Sequence, residues 1–255
     1  MNYLTATHTD VGIRKKTNQD SILVMEAETE KGNVLFAVVC DGMGGLAKGE
    51  VASSTLIKEY ERWFEEEFPA IFYEGFEPGN LRKSMENVIY STNVKISNYG
   101  KELGVNLGTT VVALVLFDNK YFCLNVGDSR CYQITDTFKL ITKDQTYVQR
   151  EIDMGRLTEE EALNHPRRSV LLQCVGASEY IMPDFFIGEI NQGQVFMLCS
   201  DGYRHVITPD EFMQYLRPEM LNDEEQMKKS IVYFTDLNKF RKEEDNISVI
   251  LIKTV

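Results

Sequence analysis

The chain has 255 residues, of which 43% are hydrophobic and 26% are charged. This composition suits one sizeable globular domain over residues 1–255, although two small domains also fit the length. The net charge of −12 disfavours nonspecific binding to a phosphate backbone, so we expect no nucleic-acid partner.

The predicted elements begin with strands at residues 20–26 and 33–40, joined by a loop at residues 30–32. Apolar residues then repeat at three- and four-residue spacing from Ala52 to Phe64 and again from Leu81 to Tyr99. These two stripes predict amphipathic helices whose apolar faces pack on a core, rather than a cofactor site.

Strands return in the middle of the chain, where a tight turn at residues 118–119 separates two apolar runs. The predicted strands there cover residues 109–117, 121–127, 130–135 and 138–141. A polar, loop-rich segment follows at residues 145–176, and within it Thr158 and Glu161 match a capping box that opens a short helix. We interpret this segment as a surface excursion.

The last third of the chain predicts a strand, two helices and a final strand. A strand at residues 194–199 precedes a second capping box at Thr208, with Pro at the first helical position. A helix near residues 223–238 and a strand at 247–253 close the chain. Many strands with helices in two clusters indicate a sheet-on-sheet core covered by helices.

The cysteines and the N-terminus indicate the compartment. The five cysteines include no Cys-x-x-Cys pair, and Cys40, Cys123 and Cys199 lie in apolar strand runs, so we expect reduced thiols. The N-terminus lacks the basic region and apolar core of a signal peptide, and no apolar run approaches membrane-spanning length. We therefore expect a cytoplasmic protein that binds no membrane.

Four aspartates stand at turns beside apolar strands. Asp41, Asp128 and Asp201 each follow a strand, whereas Asp245 comes just before the final strand. In an antiparallel sheet, the end of one strand lies beside the start of its neighbour, so these carboxylates can meet on one edge. Several converging carboxylates cannot all stay charged without a cation, and hard divalent ions prefer oxygen ligands. The pattern predicts a metal site.

The order of the motifs resembles the PP2C-type, metal-dependent protein Ser/Thr phosphatases, most closely their bacterial branch. The resemblance covers roughly residues 7–253. It rests on six motifs in family order, which are highly specific together although each is weak alone. They are Gly-x-Arg-x-x-x-Asn-Gln-Asp (12–20), Asp-Gly-Met-Gly-Gly (41–45), Gly-Thr-Thr (108–110), Gly-Asp-Ser-Arg (127–130), Ser-Asp-Gly (200–202) and Asp-Asn (245–246).

The resemblance implies an α+β fold in which a central antiparallel β-sandwich is flanked by α-helices, in α-β-β-α layers. It also implies two Mn²⁺ or Mg²⁺ ions bridged by Asp41. The Gly42 carbonyl completes one ion, Asp201 and Asp245 complete the other, and Asp20 orients metal-bound water. The implied reaction is hydrolysis of phosphoserine and phosphothreonine in proteins by a hydroxide shared between the ions.

Arg14 and Asp128 each have two possible roles. Arg14 falls at the family position of a phosphate clamp, and the alternative is a surface cation beside Lys15 and Lys16, which we expect to be solvated. By resemblance, Asp128 helps to hold a third, weaker ion; alternatively, it is a strand-end carboxylate bonded to nearby backbone or to Arg130.

The chain departs from the family at two positions that often carry histidine. Met43 stands where the animal enzymes have one, and Leu46 stands where bacterial relatives usually have one. Leaving-group protonation is then left to metal-bound water. We expect structural or solvated roles for the three histidines that the chain contains, His8, His165 and His205.

Segment 145–176 resembles the flap of the family, and we favour a substrate-contacting role for it over a plain surface insertion. The expected partners are phosphoprotein substrates and, indirectly, an opposing Ser/Thr kinase, with the protein itself a monomer. Three alternatives remain open at this point. They are a same-fold switch phosphatase for one anti-sigma-type regulator, a non-catalytic binding module of this fold, and a two-metal nuclease or nucleotide hydrolase.

Overall fold

The strands of the protein form two antiparallel sheets. The computed structural model describes residues 1–43, 48–73 and 75–255, so Leu46 lies outside the described residues. In chain order the strands are β1 (Tyr3–Asp10), β2 (Ser21–Thr29), β3 (Gly32–Cys40), β4 (Val111–Phe117), β5 (Lys120–Val126), β6 (Arg130–Ile134), β7 (Phe138–Leu140), β8 (Asp184–Glu189), β9 (Val195–Cys199) and β10 (Ile247–Thr254). One sheet has the order β1-β10-β9-β6-β7, and the other has the order β2-β3-β4-β5-β8.

The helices lie in two main groups, with two short helices in segment 145–176. They are α1 (Gly49–Arg62), α2 (Phe68–Tyr73), α3 (Pro78–Leu103), α4 (Tyr147–Asp153), α5 (Glu159–Leu163), α6 (Asp201–Arg204), α7 (Pro209–Tyr215) and α8 (Glu224–Phe240). A π-helical turn (Trp63–Glu67) joins α1 to α2, and a 3₁₀ turn (Pro218–Met220) follows α7. Within the described ranges, none of these helices has the length and apolar character that membrane crossing requires.

Strand β3 shows how the layers are built. Its side chains alternate, so that Phe36 faces the helical layer of α1–α3 while Leu35 faces the opposite sheet. Phe36 packs edge-on against Trp63, with the ring centroids 5.1 Å apart. On the outer side of the other sheet, Phe212 and Phe234 of α7 and α8 form the second helical layer. The predicted α+β sandwich with α-β-β-α layers is confirmed.

Most predicted elements are present, and the two capping boxes at Thr158 and Thr208 both form. The hairpin turn also forms, with φ of 51° at Asp118 and 55° at Asn119, as a type I′ turn requires. The sequence did not predict β1, β8, α2, α4 or α6. The first two are edge strands, whose outward side chains are partly polar and therefore show little apolar patterning.

Candidate metal centre and active site

Five aspartates meet at one end of the two sheets, which we call the acidic edge: Asp20, Asp41, Asp128, Asp201 and Asp245. Asp20 directly precedes β2, Asp41 follows β3, Asp128 separates β5 from β6, Asp201 follows β9, and Asp245 precedes β10. Burial raises the pKa of Asp41 well above its usual value, and the charges of the other four aspartates raise it further. The predicted convergence is therefore present.

The backbone of Asp41 is held by the Gly-Thr-Thr motif. Its carbonyl accepts hydrogen bonds from the Thr110 amide (2.9 Å) and the Thr109 hydroxyl (2.9 Å), and its amide donates to Thr110 Oγ1 (3.1 Å). The Thr110 hydroxyl lies 2.7 Å from that of Ser129, next to Asp128. These contacts connect the end of β3 to the turn that carries Asp128, and they do not use the Asp41 carboxylate.

Gly42 is required by close backbone packing. A Cβ atom at this position would lie 2.4 Å from the Gln19 carbonyl oxygen and 2.5 Å from that of Gly49. The Gly42 amide donates to the same Gln19 carbonyl at 3.1 Å. Any larger residue would separate the Asp41 turn from the segment before β2, and thus from Asp20.

Asn246 explains why the late Asp-Asn motif matters. Its side-chain oxygen accepts from the Gln19 amide (2.9 Å), and its side-chain nitrogen donates to the carbonyls of Val11 (2.9 Å) and Thr17 (3.3 Å). One buried amide therefore fixes the whole segment between β1 and β2 against the turn that contains Asp245.

The environments of Asp20 and Asp128 raise both carboxyl pKa values to about 7, mainly through burial. For Asp20, the charge of Asp201 raises the pKa further. For Asp128, Asp201 raises the pKa, whereas the Arg204 guanidinium lowers it. The acidic edge therefore resists full ionisation in the absence of a bound cation.

The metal-free protein is expected to lose stability as the pH rises from about 4 to about 7. Across this window the unfolded chain has lost the protons of Asp20 and Asp128, whereas the folded chain still holds them, so the free energy of unfolding falls as pH rises. Melting temperatures in chelator at pH 5 and pH 7.5 measure the effect. The Asp128→Asn variant should show a flatter dependence, and an equal slope in both proteins would contradict this expectation.

The donor set of the acidic edge fits hard divalent ions. Both carboxylate oxygens of Asp20 and Oδ1 of Asp201 are buried and have no hydrogen-bond partner in the described part of the chain. Ser200 and Ser248 are near Asp20 but are not in hydrogen-bonding geometry with it. No three His, Cys, Asp or Glu side chains of the described residues close around one point. Mg²⁺ and Mn²⁺ keep several water ligands and need few carboxylates each.

Arg14 and Lys15 both contact residues next to or within the acidic edge. The Arg14 guanidinium forms an ion pair with Glu244, and both side chains are largely exposed. Lys15, which we expected to be solvated, lies with its Nζ 2.7 Å from Asp245 Oδ1. Gly12 brings this segment close: it has φ of +75°, and a Cβ there would lie 2.3 Å from the Asp245 carbonyl oxygen.

The three histidines occupy different regions. His8 lies on β1, and His165 stacks on Tyr147 within segment 145–176, with the ring centroids 5.6 Å apart. His205 lies beside Asp201. Burial lowers the pKa of His205, but the nearby carboxylates of Glu243 and Asp201 raise it by more, so the net shift is upward.

Segment 145–176 is tied to the acidic edge at its end. Val175 and Thr109 exchange backbone hydrogen bonds of 3.0 and 2.9 Å, and Thr109 in turn pairs with Gly42. At its start, Asp144 binds Arg130 through two contacts of 2.7 and 2.8 Å. Thr109, Arg130 and Asn246 are motif residues whose contacts the sequence did not predict, whereas Asp144, Glu243 and Arg204 were missed altogether. The available signal was that two cationic or titratable residues, Arg204 and His205, follow closely after Ser-Asp-Gly.

The chain matches the family model described as protein phosphatase 2C over residues 9–238. It is 31% identical over 248 residues to the serine/threonine phosphatase stp of Listeria monocytogenes, covering 96% of this chain and 93% of that protein. Its structure resembles that of the S. agalactiae serine/threonine phosphatase, with a TM-score of 0.84, 27% identity and full coverage of both chains. It also resembles the catalytic domain of the phosphatase PstP in complex with 2 manganese ions, with a TM-score of 0.79, 25% identity, and 99% and 98% coverage. This chain belongs to the protein phosphatase 2C family.

Proposed function

We propose that the acidic edge hydrolyses phosphoserine and phosphothreonine in proteins with two Mn²⁺ or Mg²⁺ ions as cofactors. The protein is a protein-serine/threonine phosphatase and thus a phosphoric monoester hydrolase. The observation that carries this proposal is the meeting of five aspartates at one sheet edge, where burial and then acidic neighbours raise three of the carboxyl pKa values.

We assign the residues of the acidic edge different roles according to their positions. We propose that the Asp41 carboxylate would hold both ions, that the Gly42 carbonyl would contribute to one of them, and that Asp201 and Asp245 would contribute to the other. Asp20, whose buried carboxylate oxygens accept no hydrogen bond from the described residues, would orient water held by the ions. The ions, when bound, supply the Lewis acidity that activates water and neutralises the phosphoryl oxygens. The aspartates hold this charge in place, so no protein nucleophile is needed.

The phosphoprotein class is tested with matched peptides that differ only in phosphoserine, phosphothreonine or phosphotyrosine. We expect Mn²⁺-dependent phosphate release from the first two and little from the third. A clear preference for phosphotyrosine, or for a phosphodiester such as an oligonucleotide, would contradict the proposal. We further propose an opposing Ser/Thr kinase, a monomeric state and a cytoplasmic location; the five reduced, buried cysteines support a reducing compartment.

Replacing Arg14 with Ala should cost on the order of 2 kcal/mol in kcat/KM, or about thirtyfold, because it removes a bidentate phosphate contact. The guanidinium is largely exposed and pairs with Glu244, which directly precedes Asp245 in the chain. The loss should lie largely in KM if Arg14 binds ground state and transition state alike. Lys16→Ala removes an exposed charge two residues away and is the matched control. Equal kinetics in both variants would reduce Arg14 to a solvated cation.

Replacing Asp128 with Ala should change the Mn²⁺ dependence of turnover while leaving the two-ion site intact. Asp128 lies close enough to Asp201 for that charge to add to the effect of burial in raising the Asp128 pKa, and we propose that the pair holds a third, weaker ion. Turnover at saturating Mn²⁺ should fall, and the titration curve should lose its weakest phase. A variant with an unchanged titration and rate would leave Asp128 only a structural role.

Segment 145–176 is proposed as the substrate-contacting flap. Its tie to Thr109 places its end next to the Asp41 turn, and its surface combines exposed apolar side chains with arginines. Met154, Leu163 and Val170 are exposed there, and Arg167 lies over the Tyr147 ring. Such a surface suits contacts with residues that flank a phosphorylated side chain.

A further inference from the structure

We propose that His205 and Glu243 act together as a positioning pair for the metal ligands Asp201 and Asp245. The pair connects the turn after β9 to the turn before β10, and it touches neither substrate nor ion. This inference rests on the proposed two-metal function, because it assigns a role to residues that surround its ligands.

The imidazole of His205 lies between two carboxylates. Its Nε2 is 3.5 Å from Asp201 Oδ2, and its Nδ1 is 3.6 Å from Glu243 Oε2. His205 follows Asp201 by four residues in a helical turn, which places the two side chains on one face. The carboxylates are well covered, with exposed side-chain fractions of 14% for Asp201 and 11% for Glu243. The distances are those of ion-pair contacts rather than of short hydrogen bonds.

Glu243 holds the Asp245 turn with its other oxygen. Glu243 Oε1 accepts hydrogen bonds from the backbone amides of Glu244 (2.9 Å) and Asp245 (3.0 Å). The chain directs this side chain inward because Lys242, with φ of 63°, reverses direction after α8. The Glu243 amide then donates to the Asn238 carbonyl at 3.0 Å. One carboxylate thus fixes both the His205 ring and the backbone of a proposed metal ligand.

The two oxygens of Asp201 have different surroundings. Oδ2 faces His205, whereas Oδ1 is buried and has no hydrogen-bond partner among the described residues. An outer partner on one oxygen orients a carboxylate so that the other oxygen can bind a cation. Such partners are worth about 10–100-fold in metal affinity, since without them the ligand samples other rotamers.

The same geometry disfavours a role for His205 as the leaving-group acid. Both ring nitrogens face carboxylates, which leaves neither directed at a phosphoryl oxygen. A simple packing role is also disfavoured, because the ring contacts Asp201 and Glu243 through its polar atoms. In this arrangement Glu243 fixes the orientation of the His205 ring, and the ring in turn fixes the orientation of the Asp201 carboxylate.

The test is the affinity of the full chain for Mn²⁺ without substrate, measured from the electron paramagnetic resonance signal of free Mn²⁺. Glu243→Gln and His205→Asn should each weaken at least one Mn²⁺ affinity by about 10–100-fold. Glu244→Gln is the matched control. It removes the same charge one residue after Glu243, and the Glu244 side chain is exposed. It should change the affinity by less than about threefold, since exposed charges are screened.

The double variant His205→Asn, Glu243→Gln separates a pair from two independent contacts. If the two residues act as one unit, the double variant should lose no more Mn²⁺ affinity than the more strongly affected single variant. Additive losses, or equal losses in the Glu243 and Glu244 variants, would overturn the inference. Wild-type affinity in a folded Glu243→Gln protein would overturn it while leaving the proposed function standing, whereas absence of Mn²⁺ binding in the wild type would overturn both. If Glu243→Gln fails to fold, His205→Asn alone carries the same comparison.

Discussion

Asp41→Asn is expected to lower turnover by several orders of magnitude while the protein stays folded. The amide keeps the size of the side chain but removes the bridging charge, and with it the ability to hold the ions that activate water. Folding should survive because the Asp41 backbone is held by Thr109 and Thr110, without help from the carboxylate. Phosphate release from a phosphothreonine peptide at saturating Mn²⁺ measures the loss. Asp201→Asn should behave in the same way.

The same substitution should leave the metal-free protein as stable as the wild type, or more stable. In the wild type, burial and the charges of four aspartates hold the pKa of Asp41 well above its usual value, so ionised Asp41 is repelled in the folded state. A neutral amide removes that repulsion. Asp118→Asn is a suitable control, because this position lies in a hairpin turn with φ of 51°, which Asn tolerates. Near-normal turnover of Asp41→Asn would exclude Asp41 as a bridging ligand.

Removal of divalent ions is expected to abolish activity on p-nitrophenyl phosphate and on phosphothreonine peptides. The carboxylates of the acidic edge repel a phosphate dianion. The site therefore needs added positive charge before it can bind substrate. Activity should vanish in EDTA and return when Mn²⁺ or Mg²⁺ is added in excess. The recovered rate should depend on the ion concentration rather than on ionic strength. Full activity in a metal-stripped sample would contradict the two-metal account.

Locally encoded features could be predicted from the sequence. The capping boxes at Thr158 and Thr208 need only residues three positions apart, and the hairpin at residues 118–119 needs only two residues that tolerate positive φ. The long apolar runs of β3 and β4 are buried on both faces, so they were visible as strands. Strands β1 and β8 lie at sheet edges, and their partly polar side chains hid them.

The candidate site also contains residues that the sequence predicts and residues whose roles it does not predict. Asp20 came from the family resemblance, whereas the other four aspartates were predictable because each ends or begins an apolar strand, and strand order then brings them to one edge. The groups that hold them were not, because their contacts join distant parts of the chain. Asn246 binds the Gln19 amide, and Glu243 meets His205, in pairs that no local pattern marks. The resemblance to a family identifies the ligands, whereas Glu243, Arg204 and His205 lie outside the six motifs that carry it.

Anomalous diffraction from Mn²⁺-soaked crystals at the manganese absorption edge tests the central claim most directly, because it locates the ions without relying on activity. The account predicts two strong peaks at the acidic edge, about 4 Å apart, with the Asp41 carboxylate between them and Asp201 and Asp245 on the same ion. No manganese peak within bonding distance of Asp41, in crystals that hold the ion elsewhere, would contradict it.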